Sequence, residues 1–367
     1  MAEGKPPFRA DHVGSLLRSE KLKDARTRRE KGAITAQQLE AVEDQEIRTL
    51  IKKQEDIGLE SITDGEYRRS WWHFDFLAKL DGVEQYEAEQ GIQFQGVVTR
   101  ARGIKVIGKV DFTAHPFIEH FKFLKTHTKK TAKMTIPAPS VLHFRGGRRS
   151  ISTKVYPDLD VFFDDLARAY QKAVKAFYDA GCRYLQLDDT VWAYLCSKSE
   201  LEKARTLHEG VDKLPEIYAR VINYAIAEKP ADMVISTHVC RGNFRSTWIS
   251  EGGYEPVAEI LFGKVNYDGY FLEYDTNRAG GFEPLRFVPK GNKQVVLGLV
   301  TSKSGTLEKK DDIKRRISEA AEFVPLEQLC LSPQCGFAST EEGNILTEDA
   351  QWAKLKMIVD IAKEVWS

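Results

Sequence analysis

The chain has 367 residues, is 42% hydrophobic, and balances 54 Lys plus Arg against 54 Asp plus Glu. That length suits two or three domains or one large α/β barrel, and zero net charge offers no field to attract a polyanion, which argues against a nucleic-acid partner. No apolar run reaches the ~20 residues that span a bilayer, and MAEGKPPFRADHVGS at the start lacks the apolar stretch of a secretory signal, so a cytoplasmic protein with no membrane association is expected.

Taken in chain order, one pattern recurs: an amphipathic helix, a glycine, a short apolar strand, and polar residues at the strand's end. Asp11–Ser15 is the first strand candidate. A long helical stretch from Thr35 to Asp56 leads through Gly58 into Leu59–Thr63 and then Asp64, Gly65 and Glu66. Residues 77–130 fit no simple βα unit. Their alternating segments (Ile92–Val98, Gly103–Phe112) and a helix near Pro116–Leu124 predict a hairpin-bearing insertion after strand two, near the barrel mouth. Ala132–Ile136 follows. A helix from Leu159 to Ala180 and Gly181 precedes Arg183–Leu187 and Asp188, and another from Leu214 to Glu228 precedes Met233–Thr237 and His238. Tyr270–Glu273, Val295–Val300 and Gln328–Ser332 complete eight strands. The glycines after the first two helices suit left-handed C-caps. Strands alternating with helices imply a parallel sheet, and eight repeats predict a (β/α)8 TIM barrel over residues 1–367 as one domain. The competing open doubly wound sheet lacks its Gly-rich fingerprint.

Five cysteines at irregular spacings do not form a disulfide framework. Cys182, Cys196 and Cys330 read as small buried side chains. The remaining two sit at strand ends. In a parallel barrel those ends share one face, so Ser15, Glu66, Asp188, His238, Cys240, Glu273, Lys303 and Cys335 converge there. His238 and Cys240, two apart in an extended segment, point to the same side. Imidazole with thiolate favours zinc, although a lone His-x-Cys is more often structural. Ser332-Pro333-Gln334-Cys335-Gly336-Phe337 supplies a second thiol on a tight turn, and Glu273 a plausible acidic ligand. Trp71 and Trp72 suit either a flat ligand or lid packing, and Arg241 either an anion or an ion pair between loops.

The ordered motifs His-Val-Gly-Ser (12–15), Thr-Asp-Gly-Glu (63–66), Leu-Gln-Leu-Asp-Asp (185–189), His-Val-Cys-Arg-Gly-Asn (238–243), Phe-Leu-Glu-Tyr-Asp (271–275) and Ser-Pro-Gln-Cys-Gly-Phe (332–337) make a specific set. In these, nearly the whole chain resembles cobalamin-independent methionine synthase, specifically single-barrel relatives of its C-terminal catalytic half. The resemblance implies Zn2+ on His238, Cys240, Glu273 and Cys335. It implies that Val13, Gly14, Ser15, Glu66 and Asp188 hold the homocysteine head group, and that a methyl-folate methylates the thiol to give methionine. Two carboxylates can pair with an ammonium, and the amides and hydroxyl near Gly14 and Ser15 can receive a carboxylate.

Three departures concern the donor. Lys303, in Leu299-Val300-Thr301-Ser302-Lys303, stands where the family has a histidine proton donor, His143 replaces an aromatic folate contact, and Tyr194 replaces a donor-binding glutamate. A relative that alkylates another thiol, epoxyalkane:coenzyme M transferase, is the nearest alternative, but its sulfonate would leave Glu66 and Asp188 no ammonium to hold. A noncatalytic zinc-binding barrel is the alternative from another class.

Overall fold

The helices form where their sequences favour them. Thr35 and Gln38 make a reciprocal capping box at the start of Ala36–Asp56, whose Ile47, Leu50, Ile51 and Gln54 are buried on one side. Asp158 caps Leu159–Asp179, which buries Phe162, Leu166, Ala169, Tyr170, Ala173 and Phe177 at helical spacing. The computed structural model describes residues 4–99 and 102–366. Seven parallel strands run side by side in sequence order: β1 (Ser61–Ile62), β2 (Thr131–Pro137), β3 (Tyr184–Asp189), β4 (Val234–Val239), β5 (Gly269–Glu273), β6 (Gln294–Val300) and β7 (Leu329–Pro333). They curl into a TIM-like barrel, with almost every strand residue buried, as a sheet covered on both faces requires. No described helix is long and apolar enough to cross a membrane.

The predicted first strand, Asp11–Ser15, is not a strand. Ala10 makes one parallel bridge to Leu331, and beyond it the segment is held mainly by side chains, with the Ser15 carbonyl accepting the Phe337 amide at 2.9 Å. Buried Asp11 accepts from the Phe8 and His12 amides, from the Ser61 and Tyr184 hydroxyls, and from Lys133 Nζ at 3.3 Å. Lys133 also donates to the His12 carbonyl at 2.6 Å, and Thr63 Oγ1 to the Gly14 carbonyl at 2.7 Å. A carboxylate that captures nearby amides competes with a ladder, so the barrel closes between β7 and β1 through a polar cluster.

Between β1 and β2 lie an antiparallel pair, Asp81–Glu87 with Arg102–Asp111, and the helix Pro116–His127. Ile92–Val98 is not one extended segment. It folds back on itself, pairing Gln93–Phe94 with Val97–Val98. Phe94 packs on Phe244 at 5.3 Å, and the Gln95 amide donates to the Trp248 carbonyl, so this small hairpin lies against the loop that follows β4.

Candidate metal centre

The C-terminal strand ends bring four soft and hard donors together. His238 and Cys240 come from β4 and its next residue, Glu273 ends β5, and Cys335 follows β7. Their ligand atoms all lie within 4.8 Å of one another and all four residues are buried. His238 Nε2 is 3.4 Å and Cys240 Sγ 3.5 Å from Cys335 Sγ. Both cysteines are free thiols, not a disulfide. Tetrahedral zinc with ~2.3 Å bonds to sulfur separates two sulfurs by about 3.8 Å, close to the observed spacing. His238 Nδ1 and Glu273 Oε2 are buried without hydrogen-bond partners among the described residues. Imidazole, two thiols and a carboxylate oxygen left without a hydrogen bond match a tetrahedral zinc donor set in kind, number and spacing.

The local electrostatics already favour a thiolate. Burial pushes the Cys335 thiol up, but the Cys240 thiol, His238 and Lys303 outweigh it and hold Cys335 well below the usual thiol range. Its hydrogen bond to Cys335, together with burial, drives Cys240 the other way.

Val13, Ser15, Glu66, Asp188, His238, Cys240 and Cys335 line one cleft. Glu273 joins the donor quartet without lining it, and Gly14 lies behind, where a Cβ would meet Thr135 Cγ2 at 2.7 Å. Glu66 adopts a left-handed φ of 62°, unusual for a residue with a side chain and frequent at functional positions. Its Oε1 accepts from Thr135 Oγ1 at 2.9 Å and lies 3.3 Å from Arg69, while Oε2 is buried without a hydrogen bond among the described residues. Burial raises the Glu66 pKa against the pull of Arg69 and Arg18. Burial also pushes Asp188 up to about 7, with Glu66 adding to it, against the pull of His238. Two carboxyls pushed toward their neutral forms are ready to be ionised by an arriving cation.

Several contributors went unread in the sequence. Gln186, inside the Leu-Gln-Leu-Asp-Asp motif, donates to the Val13 carbonyl and to Asp188 Oδ1, both at 2.7 Å, and so ties the Val13 segment to the end of β3. Asn243 donates to the Gly336 carbonyl at 2.7 Å and accepts from Lys303 Nζ at 3.0 Å. Lys303 therefore stands beside the cleft and meets it through Asn243. Arg145 lines the cleft, with a hydrogen bond to the Tyr194 hydroxyl at 3.3 Å. His143 does not line it, and is buried against Tyr218 at 2.8 Å. Trp71 and Trp72 both line the cleft, Trp71 wedged beside Phe74 and Phe244. Among the described residues Arg241 carries no ion pair across loops. Its buried guanidinium lies 4.5 Å from the Tyr254 ring centre, without hydrogen bonds among the described residues.

The family model for the catalytic domain of cobalamin-independent synthase matches residues 8–364. The chain belongs to that family. A cobalamin-independent synthase catalytic domain has methyl transfer to homocysteine as its family-level chemistry, and the donor quartet is where this one could hold a metal. An uncharacterised Bacillus subtilis protein, YxjG, is 56% identical over 99% of this chain and 96% of its own length. The structure of a putative vitamin-B12 independent methionine synthase from Listeria monocytogenes is 49% identical, covers 99% of both chains and superposes with a TM-score of 0.80. A 5-methyltetrahydropteroyltriglutamate–homocysteine methyltransferase from Bacillus velezensis is 23% identical over 98% of this chain, which spans 43% of that enzyme.

Proposed function

We propose that this chain, acting as one catalytic unit, is a zinc-dependent methyltransferase that makes methionine from homocysteine, with a methyl-folate as donor. The observation carrying this reading is that three donors of the His-Cys-Glu-Cys quartet (His238, Cys240 and Cys335) and a pair of buried carboxyls open on the same cleft. Two thiolates, a carboxylate and a neutral imidazole would leave a zinc dication with a formal charge near minus one, poorly suited to acidifying water. When bound, zinc supplies a Lewis acid that lowers the pKa of an incoming thiol while leaving its sulfur nucleophilic.

The chain's own groups do the rest. Asp188 and Glu66 Oε2 receive the substrate ammonium, and Ser15 with the backbone of Val13 and Gly14 receives its carboxylate. That docking aims the side-chain thiol at His238, Cys240 and Cys335. Glu273, the oxygen donor of the quartet, would be the ligand to give way to a substrate thiol if zinc is held there. Lys303, beside the cleft through Asn243, supplies the proton for the leaving nitrogen, and Arg145 suits an anionic group on the donor. The carboxyl pair disfavours a sulfonate thiol such as coenzyme M.

The test is to incubate zinc-loaded protein with homocysteine and mono- or triglutamyl methyl-folate and to measure methionine. Formation is expected with one or both donors. No methionine from either, with zinc and homocysteine both bound, removes the assignment.

A further inference from the structure

Glu273 is held unlike the other three donors. Its Oε1 accepts the Arg241 amide at 2.6 Å. The Tyr254 hydroxyl accepts the Glu273 amide at 2.9 Å and donates back to the Glu273 carbonyl at 3.2 Å. The main chain and one carboxylate oxygen are therefore fixed, and only Oε2 remains without a hydrogen bond among the described residues. Arg278 Nη2 stands 3.6 Å from that oxygen, just beyond hydrogen-bond reach. The same Nη2 donates to Asp275 Oδ1 at 2.9 Å. The Arg278 side chain is only 7% exposed, lies 4.6 Å from the Trp248 ring centre, and has an Nε without a hydrogen bond among the described residues.

A carboxylate released from a metal into a buried site is costly unless a cation meets it. We propose that Arg278 is the latch for Glu273, a positioning residue that receives Oε2 when a substrate thiol takes its place. The inference rests on the zinc reading above. Closing 3.6 Å to the ~2.8 Å of a charge-assisted bond needs a side-chain movement of about 0.8 Å. Asp275 competes for the same guanidinium nitrogen and so sets how strongly Glu273 is drawn off.

The experiment compares zinc-loaded wild type, Arg278→Gln and Asp275→Ala by zinc K-edge X-ray absorption with and without homocysteine, and by chelator competition for zinc. Wild type is expected to exchange one oxygen neighbour for a third sulfur when homocysteine binds. Arg278→Gln should keep the oxygen, hold zinc more tightly and bind homocysteine about tenfold more weakly, a change of ~1.4 kcal/mol. Asp275→Ala should shift both affinities the opposite way, a pattern that general loss of folding cannot produce, and Arg278→Lys should restore part of the exchange. Variants moving in the same direction, or Arg278→Gln gaining the third sulfur at wild-type homocysteine affinity, would overturn the latch alone. A wild type that takes up no zinc, or gains no third sulfur, would overturn the thiol-activation reading and the latch together.

Discussion

Replacing Asp188 by Asn separates what this residue does for the ligand from what it costs the fold. The Asn Oδ1 can still accept from Gln186 Nε2, so the scaffold is kept while the charge is removed. With a pKa of about 7, set first by burial, the free wild-type carboxyl is ionised to about 0.9 at pH 8 and to about 0.09 at pH 6. Pairing with an ammonium requires the ionised form. Wild-type affinity for methionine, which has the head group but no thiol, should therefore fall about tenfold from pH 8 to pH 6, with nearly one proton released on binding at pH 6. Stability runs the other way. The folded pKa is raised, so the folded state holds the proton longer, and stability present below about pH 4 is lost as pH rises through 7. Asp188→Asn should melt above the wild type at pH 8, match it near pH 4, and bind methionine weakly at every pH. Calorimetric titration of methionine across this range, paired with thermal melts, reads both effects. A wild-type methionine affinity flat between pH 6 and 8, or an Asn variant that binds like wild type, refutes the reasoning.

Gly336→Ala would place a Cβ 1.9 Å from Ser15 Oγ and 3.1 Å from Ser15 Cβ. Overpacking of this kind costs about 1–3 kcal/mol, so methionine affinity, read by titration, should fall with the displaced Ser15. Lys303→Met should lower kcat for methyl transfer while zinc content and homocysteine affinity stay at wild-type levels, and equal loss in homocysteine affinity would assign the lysine to binding. Lys133→Met removes the cation from a fully buried pair with Asp11. Leaving one charge of a buried pair alone costs about 3–5 kcal/mol, which chemical denaturation should register as a lower midpoint.

The periodicity of apolar residues was enough to place seven of the eight strands and their order around the barrel, because almost every strand residue is buried and most strands are separated by helices. Asp11–Ser15, in which Val13 is the one apolar residue, forms no strand because its hydrogen bonds go to Asp11 and Lys133, a partner more than 120 residues away. Ile92–Val98 misled because alternation cannot tell one strand from a hairpin that turns at Gly96. At the site, spacing alone paired His238 with Cys240, but only the barrel brings Cys335 and Glu273 to them across long stretches of chain. Gln186 and Asn243 escaped notice for a related reason. Amides inside a motif look like filler until their two bonds are seen, and both connect elements far apart in sequence.

The zinc content of purified wild type and of Cys240→Ser, measured after equilibration with excess zinc and removal of free metal, tests the central claim most directly. The donor set predicts one zinc per wild-type chain and none retained by the variant. Full metal stoichiometry in Cys240→Ser would contradict it.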